Sequence, residues 1–410
     1  MKAGAALAAI ATVSLAASAS ASADVRYASP GGSGVVCSTD APCDLQVAVE
    51  SAVGGDEVVV LPGSYGETDQ LDVSASILVH GQAGAPSPLV VSSAPTGVSV
   101  TGAGALVRRL HIVHVGIGDA LFLDAGIAEQ VVAQTGSSQF ACQVRGATLR
   151  DSICWSTGTA GSAAGMTVGS AFEQSVLRNV TAIGEGAGAR GIEAEASGGG
   201  LADLRAVNVI AKGAGVDVEA TSNAASGANV DLDHSNFATL SLVGANSFAT
   251  APGTAYNQTD PPLFVNAAAG DFHEGPESPT IERGGYWSGV GSEDVDGEPR
   301  VQGYGVDIGA DEYVVGPPPP DVNPPETKIL KGPEKRSKHH LAKFKFGTSE
   351  PAGAILMCSV DDVPYKPCES PKGYRVGIGK HVFRVFSIDA SGNVDPTPDS
   401  RTWRVKRKHK

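Results

Sequence analysis

The sequence has few aromatic residues. Its 410 residues include 11 Phe, 8 Tyr and 3 Trp, with only 3 Met. That scarcity argues against a broad core built on large rings and suits a narrow interior of small side chains. Positive charge is scarce over most of the chain. Residues 1–316 carry 12 Lys/Arg against 34 Asp/Glu, a net charge of −22. This excludes nucleic-acid binding by the main body. After the first two dozen residues no apolar run is long enough to cross a bilayer, so no transmembrane segment is expected. No C-x-x-C occurs and no His stands at ligand spacing from a cysteine, which removes the common zinc frameworks. A terminal lipid or sorting motif is also missing.

What is present begins with an export signal. Lys2 precedes an Ala-rich apolar run, Ala3 to Ala17, and Ala21-Ser22-Ala23 is an A-x-A cleavage site. Residues 1–23 are therefore expected to be a signal peptide, with Asp24 as the mature N-terminus of a secreted, extracellular protein. Six cysteines suit that compartment. They lie as three local pairs, Cys37 with Cys43, Cys142 with Cys154, and Cys358 with Cys368. Many pairings are formally open; proximity favours the three nearest ones as disulfides.

A repeat organises the middle of the chain. Its copies start at Val107, Ile127, Leu149, Leu177, Leu204 and Leu232. Each reads aliphatic, polar, turn-tolerant residue, then alternation. Strand alternation sends the first residue inward and the second outward. Asp151, Asn179 and His234, at the third position, tolerate the left-handed backbone of a sharp corner. One short strand per copy cannot bury its own apolar face, but stacked parallel coils can. The 52 glycines suit a chain that turns a corner every few residues. In this alignment Arg150, Arg178 and Arg205 fall at one position of three successive coils, with Arg108 two coils earlier and Ala128 interrupting. Such a row needs a compensating charge. An anionic polysaccharide would supply it from outside, and the protein's own acids, Asp151 and Asp203, from within. The pattern resembles the right-handed parallel β-helix, the pectin-lyase-like fold; the handedness is implied by that resemblance, whereas the period gives only a β-solenoid.

Taken in order, the mature chain opens with a short helix. Asp44 is a good N-cap, Leu45, Ala48, Val49 and Ala52 form one apolar face, and Gly54-Gly55 stops it. Such a helix would cover the open first coil, and Ile77-Leu78-Val79-His80-Gly81 would be the next rung. The Gly- and Ala-rich stretches 184–200 and 211–228 read as spacer loops. Over residues 261–313, several blocks resemble the C-terminal part of choice-of-anchor Q β-helix proteins: Pro261-Pro262-Leu263-Phe264, Gly270-Asp271-Phe272-His273, Ser278-Pro279-Thr280-Ile281, Asp294-Val295-Asp296-Gly297-Glu298-Pro299-Arg300 and Asp307-Ile308-Gly309-Ala310-Asp311-Glu312-Tyr313. Glu282-Arg283 departs from that pattern, where an Asp is usual. The expected boundaries are a β-helix at 24–316, a stiff proline-rich linker at 317–325, a second domain at 326–406 and a basic tail at 407–410. In the second domain, short alternating strands at roughly ten-residue spacing argue a small β-sandwich. Cys358-Ser359-Val360-Asp361-Asp362, Gly379-Lys380-His381 and Asp389-Ala390-Ser391-Gly392-Asn393 resemble a bacterial immunoglobulin-like module, which implies spacing or adhesion. Residues 317–410 carry 18 Lys/Arg and 10 Asp/Glu, net +8. Lys335-Arg336, Lys338-His339-His340 and the terminal Lys406 to Lys410 give this domain an electrostatic route to an anionic cell envelope.

No catalytic residue is assigned. The pectate-lyase motifs W-x-D-H and R-x-P-x-x-R are missing, and so are the polygalacturonase blocks N-T-D, G-H-G and R-I-K. His111 and His114 face opposite sides of a strand and read as ordinary histidines. Asp294, Asp296 and Glu298 form a D-x-D-G-x run that resembles a calcium loop but lacks its remaining ligands. The alternative there is a turn cornered at Asp296-Gly297, with its carboxylates paired to Arg300. No cofactor other than that calcium is implied. The expected function is a monomeric secreted or cell-surface β-helix protein with a non-catalytic adhesion or carbohydrate-interaction role, its partner an extracellular polysaccharide or the cell envelope. The alternative is a polysaccharide lyase or glycoside hydrolase acting on an extracellular polymer.

Overall fold

The computed structural model describes residues 23–67, 69–286, 291–314, 324–350, 354–361, 363–389 and 393–407. Apart from its last residue, the signal sequence expected at 1–23 lies outside them, as do most of the linker at 317–325 and the end of the tail at 407–410. The chain divides into two compact units, Met1–Tyr313 and Val314–Lys410.

The first unit is a right-handed parallel β-helix. Its main sheet runs through Val25–Ala28, Glu57–Val60, Leu78–Gly81, Leu106–His114, Ile127–Thr135, Thr148–Ser156, Phe172–Gly184, Leu201–Gly213, Gly227–Asp233 and Ser247–Ala249, in chain order. A second sheet stacks eight strands, from Leu71–Val73 to Leu240–Val243. All these pairs are parallel, as successive coils of one winding chain must be. The long strands bend at a residue in the left-handed region: Arg109, Gln130, Asp151, Asn179, Asn208 and His234, with φ between 45° and 56°. Strand Leu106–His114 consequently pairs with Leu78–Gly81 before its bend and with Leu89–Ser92 after it. Each coil thus has three faces around one apolar interior. Val107, Leu149, Leu177, Leu204 and Leu232, expected inward, are all fully buried in that core.

The opening helix α1 spans Leu45–Glu50; Asp44 caps it by accepting from Gln46 N, and Leu45, Ala48 and Val49 are buried. Cys142 and Cys154 stand on different faces of one coil and join through the interior, Cα to Cα 5.7 Å. Cys37–Cys43 and Cys358–Cys368 are the other two disulfides. The stretches read as spacer loops are not spacers. They contain Arg190–Ala196 and Val216–Ser222, rungs of the second sheet. Their alternation was hidden by Glu, Ala and Thr in place of aliphatic residues.

The described residues of 261–313 form little regular structure beyond the antiparallel pair Phe264–Asn266 and Asp271–Glu274. They lie against outward residues of the main sheet. Phe272, Val295, Ile308 and Ala310 pack on Ile153, Ile183 and Ile210 in a second apolar cluster. Phe272 sits edge-on to Trp155 and to Phe264, each at 5.4 Å.

The second unit is a β-sandwich. Its three-stranded sheet is Thr327–Lys331, Leu341–Thr348 and Lys372–Arg375; its five-stranded sheet holds Ile355–Val360, Gly379–Ile388 and Asp399–Val405 with two short edge strands. The two sheets share a core of Phe344, Phe346, Phe383, Val385, Trp403 and Val405, with Cys358 of the disulfide.

Candidate functional site

The corners of the β-helix place two parallel rows of polar side chains. The register of the outward row is Arg108, Glu129, Arg150, Arg178, Val207, Asp233. Arg150 and Arg178 are neighbours as expected. Arg205 is not in the row: it pairs with Val176 and Asp231, two residues away from the position opposite Arg178. Nor does Ala128 interrupt the row, because Glu129 stands there. Its Oε1 lies 3.3 Å from Arg108 Nε, and its Oε2 accepts from Arg150 Nε at 2.7 Å. Glu129 thus stands between two of the arginines and compensates both, while Arg150 and Arg178 remain like-charged neighbours. Glu293, from the C-terminal segment, adds contacts to Arg108 at 3.1 Å and Arg109 at 3.0 Å. Arg108, Glu129, Gln130, Arg150, Asp151 and Glu293 line a cavity of about 370 Å³.

The second row is the corner residues themselves. Asn179 Nδ2 donates to Asp151 Oδ1 at 2.7 Å, and Asn208 Nδ2 donates to Asn179 Oδ1 at 3.1 Å. The C-terminal segment closes over this row. Gly285 N donates to Asn208 Oδ1 at 2.7 Å, and Gln130 Nε2 donates to the Asp294 carbonyl at 2.8 Å. Arg300, 1% exposed, donates from Nη2 to Asp151 Oδ1 at 2.9 Å and from Nη1 to Glu312 Oε1 at 3.2 Å. Its remaining contacts are the carbonyls of Gly309 and Ala310. Arg300 therefore hydrogen-bonds to none of Asp294, Asp296 and Glu298, contrary to the pairing expected in that turn, although its charge favours the ionised Asp294.

Nor do those three carboxylates converge. Asp294 turns inward: Oδ1 accepts from the amides of Asp296 and Glu298, and Oδ2 from that of Glu312. Glu298 accepts from Gln302. Asp296 accepts from His273 Nε2 at 2.7 Å, while His273 Nδ1 contacts Asp271. The turn at Gly297 has the left-handed φ of 87°. Among the described residues, the ligand atoms that gather closely enough for a cation belong to His273, Asp296 and Asp311, within 4.8 Å of one another. Sequence reasoning named Asp296 for a cation and missed His273, whose only signal was the G-D-F-H block.

Burial sets the protonation of this belt. It pushes Glu274 up to about 8 and Asp311 up to about 6. Glu312 is pushed up to about 8 by burial first and by the Asp307 charge second. Asp294 and Asp307 also move up, with burial the largest cause. The hydrogen bond to Asp296, supported by Asp271, holds His273 up at about 10, so it is an imidazolium at neutral pH. His111 and His114 form no joint site. His114 Nε2 contacts the Ala94 carbonyl, and burial pushes His111 down. In the sandwich, Asp361 pairs with His381 at 2.9 Å.

No protein-family model matches this chain, and no curated protein matches it. Among solved structures it is similar to the crystal structure of pectate lyase Pel9A, with a TM-score of 0.38 and 15% identity over 71% of this chain and 96% of that one. The parallel-coil architecture rests on the strand pairing described above.

Proposed function

We propose that this is a secreted or cell-surface β-helix protein that binds an extracellular polymer without cleaving it. The observation behind this reading is that the β-helix spends its acids and bases on itself. Glu129 joins Arg108 to Arg150, Arg300 joins Asp151 to Glu312, and Asp294 and Asp307 accept from backbone amides. A general base or a nucleophile needs a lone pair directed at substrate, and these are directed inward. Three disulfides, and the absence of any described helix long and apolar enough to cross a membrane, fit an extracellular protein. The likeness of residues 261–313 to choice-of-anchor Q proteins, and of the sandwich to immunoglobulin-like modules, belongs to the same reading, as does an adhesive role for the sandwich. Calcium at the acidic belt is a further proposal.

A polysaccharide lyase or glycoside hydrolase is the second reading, and one observation favours it. Glu274 and Glu312 stay protonated near neutral pH, as a general acid must. Both are buried on internal partners, which places this reading second. Incubation with a panel of acidic and neutral polysaccharides separates the two. Binding without new reducing ends or unsaturated-uronate absorbance is the expected result. Turnover of any polymer overturns the first reading.

A further inference from the structure

We infer that the acidic-polymer contact lies in the C-terminal sandwich, in a lysine-lined groove beside its three-stranded sheet, and that the ligand is a polyuronate-type acidic polysaccharide. This rests on the binding role proposed above and places it away from the β-helix arginines. Strand Leu341–Thr348 alternates strictly at its start: Ala342, Phe344 and Phe346 are buried, and Leu341, Lys343 and Lys345 are exposed. Outward residues two apart on a strand are roughly 7 Å from each other. Lys331 lies opposite Lys345 on the neighbouring strand. The connection after it brings Arg336 and Lys338 to the same groove, whose volume is about 830 Å³.

These cations differ from those of the β-helix in one respect. Among the described residues, none of Lys331, Arg336, Lys338, Lys343 and Lys345 has a carboxylate within 4 Å; ion pairs of this unit, such as Lys328–Glu326 and His381–Asp361, lie elsewhere. Five cations against one carboxylate, Glu334, around one concavity raise its potential, and an anion relieves it. The lining also selects among polyanions. Single-stranded nucleic acid is held by aromatic faces as well as charge, and Phe344, the aromatic residue at this groove, is 1% exposed. Four of the five cations are lysines, compact point charges that pair with a carboxylate without needing bidentate geometry. Pro333, Leu341 and Pro371 supply apolar edges for sugar rings.

The test uses the full mature chain and polygalacturonate, with affinity measured by calorimetry at low and moderate salt. The variant K331Q/K338Q/K343Q/K345Q, altered only at exposed positions, is expected to bind at least about tenfold more weakly with a flatter salt dependence. The matching Lys→Arg variant should retain affinity. Arg150→Gln with Arg178→Gln should leave it unchanged. Mass mapping of lysine acetylation gives a readout on the parent protein alone: polygalacturonate should protect Lys331, Lys338, Lys343 and Lys345. Parental affinity in the Gln variant, or no protection of these lysines, overturns the groove and leaves the binding role standing. A parent that binds no acidic polysaccharide overturns both. Tighter binding to a thymidine oligonucleotide or to phosphatidylglycerol vesicles than to polygalacturonate overturns the ligand class.

Discussion

Arg300 is the buried cation around which the C-terminal acids are arranged, yet it does not satisfy all of them. Asp151 and Glu312 share it, while Glu274 relies on Thr280, whose hydroxyl lies 2.8 Å from both carboxylate oxygens. Burial then decides the protonation: Glu274 and Glu312 hold their protons to about pH 8. In the unfolded chain both lose them near 4.5, the ordinary value. Between about 4.5 and about 8 the folded state therefore binds more protons than the unfolded one. Stability must fall as pH rises through that window. His273, held at about 10 against 6.5, acts with the same sign: its contribution is complete below 6.5 and is lost towards 10. The thermal midpoint of the β-helix should decline steadily from about pH 5 to about pH 9, and Glu312→Gln should flatten the decline, because an amide cannot titrate. A midpoint that rises across this range would contradict the assignment of these acids as neutral.

The corner row shows how a repeated element couples its own rungs. Asn179 sits at φ 50°, bridging Asp151 below and Asn208 above. Asn179→Ala keeps the left-handed backbone, adds its steric cost and removes one hydrogen bond from each of two buried neighbours, which keep Arg300 and the Gly285 carbonyl as partners, a loss of about 2–4 kcal/mol. Asn179→Gly loses the hydrogen bonds but not the backbone ease, so it should be the milder change by about 1 kcal/mol. Denaturant midpoints of the two variants check the order. The same row explains what was legible in the sequence. Asp151, Asn179 and His234 announced their corners because their residue types favour that backbone. Two copies were misaligned. The copy at Ile127 was one residue early, since Ala128 is the inward residue and Gln130 the corner. The copy at Leu204 was two residues early, since Asn208 is the corner. A slip of two preserves strand alternation, so Leu204-Arg205 and Ala206-Val207 fit the pattern equally well. That slip created the third arginine of the expected row, and the one-residue slip at Ile127 hid Glu129, the residue that compensates Arg108 and Arg150. The belt around Arg300 was less legible still. Its partners Asp151 and Glu312 are 149 and 12 residues away, and no local pattern joins them.

The whole molecule is two folded bodies with separate means of support. The β-helix holds one core through its coils, from Ala28 to Phe237, and a second under its C-terminal segment, from Ile153 to Ala310. The sandwich core runs from Ala342 to Val405. Each disulfide closes within one body: Cys37–Cys43 and Cys142–Cys154 in the first, Cys358–Cys368 in the second. Removing a short-range disulfide of this kind costs a small domain about 2–5 kcal/mol, so the sandwich carries its own staple. Its eight strands also bond only among themselves among the described residues, in sheets of three and five. Residues 24–316 and 325–410, expressed apart, should therefore each fold and melt in a transition of their own, and reduction should lower that of the shorter fragment. The coiled fragment already has an apolar cover over Ile153, Ile183 and Ile210, supplied by Phe272 and Ile308 of its own segment. It needs nothing from the sandwich to bury that face. An unfolded 24–316 fragment beside an intact full chain would place part of the β-helix's stability in the sandwich, against this account.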